Sequence, residues 1–146
     1  MCRFNDLIMD IFVNFALAKK LKVKGFREMC LGYYRTDSSF EERDCLYLNR
    51  ATQRGITYKG FLVSYNSRKE GEPFSDVIDA PTVSQVFAWF RKNHGIYAYV
   101  ERDTYHKEFR YVYEKDSPRG TTTSRTYPSY DEAALKCIED IVNNKI

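Results

Sequence analysis

Apolar residues after position 14 recur at helical spacing and then stop. Leu17, Ala18 and Leu21 fall on one side of "FALAKKLKVK", while Lys19, Lys20, Lys22 and Lys24 fall on the other side or at its edge. Asn14 is placed to cap this helix with its side-chain oxygen, and Gly25 supplies a left-handed stop. Lysines in the last turn complement the helix dipole. A longer helix from about Asn5 to Lys24 also fits, since Leu7, Ile11, Phe15 and Ala18 keep the period. The shorter helix is the preferred reading, with "IMDIFV" extended before it. "EMCLGYY" then reads as a strand. From Arg35 to Asp76 the chain is irregular. "RTDSSFEERD" is a polar loop, "ITYKGFLVSY" a strand with a bulge at Gly60, and "NSRKEGEPFSD" a turn-rich loop. Flexible loops and a hairpin both fit this region.

The second half is more regular. In "APTVSQVFAWFRKNHGI" Thr82 and Gln85 have capping-box spacing, with Pro81 placed to staple onto Val86. Val83, Val86, Phe87 and Phe90 make the expected buried stripe, and Gly95 ends the helix. "IYAYVERD" and "EFRYVYEK" alternate, which predicts an antiparallel hairpin. Ile96, Ala98 and Val100 share one face; Tyr97 and Tyr99 share the other. Phe109, Tyr111 and Tyr113 share a face of the second strand. The Thr-rich "TTTSRTY" suits an edge strand. "SYDEAALKCIEDIV" opens on a second capping box, Ser129 with Glu132, and carries an apolar stripe of Ala134, Cys137, Ile138, Ile141 and Val142. The predicted fold class is α+β. An antiparallel sheet carries about three helices packed mainly on one face, and the C-terminal half runs α-β-β-β-α. One domain is expected over 1–146, with an irregular loop-rich region at 35–76.

Composition refines this picture in two ways. Twelve Tyr and ten Phe raise the aromatic share to 16%, which fills sheets and also suits binding surfaces. The net charge of +3 permits an anionic partner without demanding one. Near the start, Ala16-Leu17-Ala18 imitates a cleavage site, but Asp10 and Asn14 interrupt the apolar run, which is too short and polar to span a bilayer. With no glycosylation sequon and with reduced thiols expected, the reading is a cytoplasmic protein. Cys2, Cys30, Cys45 and Cys137 form no C-x-x-C pair, and with His94 and His106 they match no zinc spacing. No metal, cofactor or membrane partner is expected.

Three stretches resemble a family of small phage and prophage proteins from gut bacteria with no assigned activity: "FALAKKLKVKGF" followed by Cys30 and "GYY", then "APTVSQVFAWFRKNHGIY", then "YPSYDEAALKCIEDIV". Together they cover about half the chain. The resemblance implies a phage or mobile-element setting and an intracellular product, which would place it in the host cytoplasm. It brings no catalytic residues with it. The start, "MCRFNDLIMD", is longer than usual for that family, and the stretch from Arg35 to Asp76 departs from it. Residues 81–146 also resemble double-stranded RNA binding domains in topology. Those domains place lysines at the start of the last helix, where this chain has Asp131 and Glu132, so the likeness stays at the level of fold.

No phosphate-binding loop, dinucleotide fingerprint, nucleophile elbow or zincin motif occurs. The reading that follows is a non-enzymatic accessory protein that binds a host or phage macromolecule, either a protein or a nucleic acid. A nucleic-acid-binding module is the first alternative. A small enzyme pairing Cys30 or Cys45 with His94 or His106 is the second. Candidate contacts for an anionic partner are Lys19, Lys20, Lys22, Lys24 and Arg27 on the first helix and beyond it, with Arg91 and Lys92 at the end of the second. A solvated face with dipole compensation explains the same charges. Tyr97 and Tyr99 are the candidate aromatic face for stacking bases.

Overall fold

Asn14 begins the first helix by a local bond: its Oδ1 accepts from the Leu17 amide at 3.0 Å, which satisfies one of the donors every helix start leaves open. The computed structural model describes residues 12–36, 46–53, 56–59, 62–115 and 120–146. Among these lie helices α1 (Phe15–Val23), α2 (Val83–His94) and α3 (Tyr130–Asn144). The strands are β1 (Gly32–Arg35), β2 (Tyr47–Leu48), β3 (Arg50–Gln53), β4 (Ile56–Lys59), β5 (Val77–Ala80), β6 (Ile96–Asp103), β7 (Glu108–Lys115) and β8 (Thr121–Thr123). The class is α+β, as the element order predicts. The chain forms two compact units, Met1–Thr82 and Val83–Ile146.

In the first unit, α1 buries Leu17, Ala18 and Leu21 and packs on β5. Gly25 follows it at φ 93°, a left-handed stop that suits a residue without Cβ. The preceding segment is extended at its end: Phe12 bridges Thr82, and the Val13 amide donates to the Pro81 carbonyl at 3.0 Å. The rest of "IMDIFV" lies outside the described residues. β1 is the middle strand of an antiparallel sheet ordered β2-β1-β5. Its Tyr34 is fully buried, donates its hydroxyl to the Val13 carbonyl at 2.7 Å, and meets Phe15 edge-on. β3 and β4 pair as the hairpin that was one of two readings of this region. "EMCLGYY" forms its strand only from Gly32; Cys30 makes an isolated bridge to Val63.

β5 is not anticipated by the sequence pattern. All four of its residues are buried, including Asp79. A four-residue run with a carboxylate inside it alternates in neither period, so nothing local marks it as a strand. Pairing with β1 over four residues, Gly32↔Ala80 to Arg35↔Val77, decides it.

In the second unit the hairpin β6-β7 keeps the predicted boundaries, and β8 is the edge of the order β6-β7-β8. Both α2 and α3 pack on β6 and touch one another, and α3 also covers β7. The predicted stripe of α3 is buried throughout, joined by Ala133. Ser129 caps it, its Oγ accepting from the Glu132 amide at 3.2 Å. α2 buries Val83, Val86, Trp89 and Phe90. Phe87, expected inside, is only half-buried. Phe87 and Trp89 flank one stripe at equally good helical spacing, and the larger ring is the one turned inward. Gly95 follows at φ 62°. On the sheet, Ala98 lies opposite Tyr113 and Val100 opposite Tyr111. The two tyrosine rings stack at 6.2 Å, and both hydroxyls donate to one oxygen of Asp140 on α3, at 3.2 and 3.0 Å.

Candidate binding surfaces

The basic end of α1 is fastened to a turn that the sequence leaves undefined. Lys22 Nζ donates to the carbonyls of Ser75 (3.1 Å) and Val77 (3.2 Å). Arg27 folds back on the helix end, donating to the carbonyls of Lys22 (3.0 Å) and Phe26 (2.9 Å). Its own carbonyl accepts from the Ser64 hydroxyl at 2.7 Å. Two of the predicted anion contacts thus also hold the frame, with part of their donor capacity spent on carbonyls. Lys19, Lys20 and Lys24 are exposed around them. Between Phe15 and Arg35 the chain carries six basic residues against one acidic, Glu28.

Beneath that turn sits Asp79, with 0% exposure. Its carboxylate accepts from the amides of Tyr65 (3.0 Å) and Asn66 (2.8 Å). Asn66 answers by accepting from the Asp79 amide at 3.1 Å and donating to the Phe26 carbonyl at 3.1 Å. Burial pushes the Asp79 carboxyl above the ordinary carboxylate range. The amides of Asn66 and Tyr65, with Lys22 and Arg27 nearby, pull in the other direction. This is a structural carboxylate, held by donors rather than aimed at a reactant.

The outer side of the turn is aromatic. Tyr47 stacks on Tyr33 at 5.4 Å, Tyr33 meets Tyr65 edge-on at 5.3 Å, and Tyr65 meets Phe74 edge-on at 5.9 Å. Phe74 is 60% exposed and holds φ 63°. A left-handed backbone costs a bulky residue about 1–3 kcal/mol. Arg68 is close enough to oppose the upward push that burial, Tyr33 and Asp79 exert on the Tyr65 hydroxyl. The row of rings therefore adjoins the basic end of α1. Tyr65 shares Asp79 with Lys22 and Arg27, and Phe74 precedes the Ser75 carbonyl that Lys22 holds.

The aromatic face expected from the sequence lies in the second unit. Tyr97 and Tyr99 are 42% and 48% exposed on the sheet side away from the helices. Across the hairpin they face Glu114 and Val112. Their neighbour Arg110 is taken up by Glu101, Nε to Oε1 at 2.5 Å. The face is open only in part, since Val112 opposite Tyr99 is buried, and carboxylates rim it. Arg91 and Lys92 are exposed at the end of α2. Sequence reasoning missed Tyr33, Tyr65 and Phe74. One faint signal was available, a phenylalanine stranded in the polar turn "EGEPFSD".

The Cys and His candidates are separated by their surroundings. Cys30 and Cys137 are buried free thiols, and burial pushes both far above the thiolate range. Cys30 Sγ contacts the Glu28 carbonyl at 3.6 Å. His94 packs edge-on against Trp89 at 4.6 Å, and burial with Lys115 holds its imidazole below the usual histidine value. His106 sits in the hairpin turn, its Nδ1 2.9 Å from Asp103 Oδ2. Cys2 and Cys45 lie outside the described residues. Among the described residues there is no group of His, Cys, Asp and Glu able to hold a metal ion, and no helix is long and apolar enough to cross a membrane. No protein-family model, curated protein or solved structure matches the chain.

Proposed function

We propose that the chain is a non-enzymatic accessory protein of a phage or mobile element that acts in the host cytoplasm by binding a macromolecule. The contact is the ringed corner of the first unit. The observation that carries this reading is Phe74, a large apolar ring left in water on a left-handed backbone. Its edge-on contact with Tyr65 covers only part of the ring, and strain of this kind collects where a chain meets a ligand. The buried, unactivated thiols of Cys30 and Cys137 support binding over covalent chemistry.

Capture from infected cells tests the reading. Tagged wild-type protein should retain a partner that Phe74→Ala loses, and iodoacetamide at neutral pH should label neither Cys30 nor Cys137 before unfolding. Equal capture by both proteins would remove Phe74 from the contact. A fast-reacting cysteine whose blockage abolishes a turnover would replace binding with catalysis.

A further inference from the structure

We infer that two copies of the chain pair through β6, edge to edge and antiparallel, and join their sheets into one. β6 is an outer strand of the order β6-β7-β8. Which of its backbone groups face outward follows from the ladder. Phe109 exchanges backbone bonds with Tyr127, and the Tyr111 carbonyl accepts from the Ser124 amide. Odd-numbered residues of β7 therefore bond away from β6, and even-numbered ones bond to it. The partners of those even-numbered residues are Tyr97, Tyr99, Glu101 and Asp103. The amides and carbonyls of Ala98, Val100 and Arg102 point the other way, and among the described residues no backbone group meets them.

The two margins of this sheet differ in protection. β8 spans three residues. Beyond it the Ser124 side chain stands in for a carbonyl, its Oγ accepting from the Tyr111 amide at 2.9 Å. β6 pairs without a bulge for eight residues, Ile96↔Lys115 to Asp103↔Glu108. It contains no proline and no lysine, the residues that commonly keep an edge from joining another. Ala98 and Val100 lie opposite Tyr113 and Tyr111 on the helix-covered face. Both are only half-buried, so the helices leave this margin accessible.

The charge pattern along β6 selects a second copy as the occupant. Ile96 to Val100 is uncharged, and Glu101, Arg102 and Asp103 follow. Turned antiparallel about Tyr99, the charged end of each copy runs beside the uncharged end of the other. Ala98 then exchanges bonds with Val100 of the second copy, Glu101 lies across from Tyr97, and Arg102 across from Ile96. No like charges are opposed, and Glu101 already has Arg110. The two Tyr99 side chains meet at a non-hydrogen-bonded position, where strands approach most closely and aromatic pairs stabilise a sheet. Tyr97 and Tyr99, 42% and 48% exposed, are the rings that this pairing covers. Moving the axis two residues toward the charged end would set Glu101 against Glu101, which is unfavourable. The contact is a closed two-fold one, the same strand on both sides.

Analytical ultracentrifugation of the full chain over a concentration series should show a monomer–dimer equilibrium. Val100→Pro removes an outward N–H that the protomer itself does not use, so an edge strand tolerates it while the pairing does not. A two-fold contact loses that bond twice, and the dissociation constant should rise by about tenfold or more. Tyr99→Lys opposes two ammonium groups at the axis and should disperse the dimer without altering the backbone. Phe74→Ala should leave the dimer unchanged, which separates this contact from the corner proposed above. Urea midpoints read from Trp89 fluorescence verify that each variant folds. Wild-type protein that stays monomeric at its highest soluble concentration overturns the inference. A dimer that both variants leave intact also overturns it, because the contact would lie elsewhere. If Val100→Pro disperses the dimer and Tyr99→Lys does not, the pairing about Tyr99 is wrong. A monomeric chain that loses a captured protein on Val100→Pro would give the edge to a foreign strand and overturn self-pairing.

Discussion

Asp79 and Asn66 hold each other's backbone. The carboxylate of the first accepts the amide of the second at 2.8 Å, and the side-chain oxygen of the second accepts the amide of the first at 3.1 Å. They lie thirteen positions apart in the chain. The exchange converts a polar turn into part of the first unit's interior and explains why a charged residue can occupy the middle of a fully buried strand.

Replacing Asp79 by Asn leaves one acceptor for two amides and turns an NH₂ group toward a donor. The expected cost is about 1–3 kcal/mol, the penalty of a buried group left unsatisfied. Hydrogen exchange should show the amides of Tyr65 and Asn66 opening faster in the variant. The pH dependence has a definite sign. A carboxyl raised above its unfolded value binds its proton more tightly when folded, so it favours the folded state increasingly as pH falls through that raised range. The variant should lack this component. Unchanged exchange at both amides would show that the carboxylate does not hold the turn.

His94 gives the opposite slope in the second unit. Its imidazole is held below the ordinary value by burial and by Lys115, so the folded state binds its proton less readily than the unfolded chain. Stability is fully present above the ordinary histidine value and is lost as pH falls through it toward the depressed value. The single tryptophan, Trp89, lies against His94 and reports this unit's unfolding by its fluorescence. Urea midpoints should drop on acidification from about pH 7.5 to 5.5, across the usual histidine range. His94→Gln should show a smaller drop, and an identical drop in both proteins would assign the slope elsewhere.

Asp140 is the third lever. Tyr111 and Tyr113 both donate to its Oδ2, and Asn144 donates to its other oxygen at 2.7 Å. Burial and the neighbouring Asp140 carboxylate push the Tyr111 hydroxyl well above its ordinary value, so it is a donor at neutral pH. Asp140→Ala takes the acceptor from the Tyr111 hydroxyl and one of two partners from Tyr113, which also bonds Thr122, and should destabilise the second unit by about 1–3 kcal/mol. Tyr111→Phe combined with Tyr113→Phe removes the donors together with the need for them. Adding Asp140→Ala to that pair should cost much less than it does alone, and an additive result would deny the coupling.

The elements that sequence reveals are those whose causes are local. Asn14 and Ser129 cap their helices from three residues away, Gly25 and Gly95 end theirs on the spot, and the alternation in β6 and β7 fixes which side each residue takes. β5 has no such local cause, because Asp79 is acceptable there only through Tyr65 and Asn66. The surface divides the same way. The lysines of α1 are legible as a charge pattern, although the pattern does not reveal that Lys22 and Arg27 also clamp carbonyls. The sequence points to Tyr97 and Tyr99 as the aromatic face, whereas the rings on the turn that Lys22 holds, and against it, are Phe74, Tyr65 and Tyr33. Their neighbourhood depends on the pairing of β1 with β2 and on a turn anchored from β5, relationships that no period in the sequence encodes.

The turn between Tyr65 and Val77 stands on two fixed feet, one tied by Asp79 and the other by the ammonium of Lys22. Between those feet the turn is stitched by its own bonds, Arg68 to Tyr65, Glu72 to Lys69 and Ser75 to Glu72. The exposed ring of Phe74 is therefore carried as part of one braced arch, and loosening either foot would shift the arch as a unit rather than a single side chain.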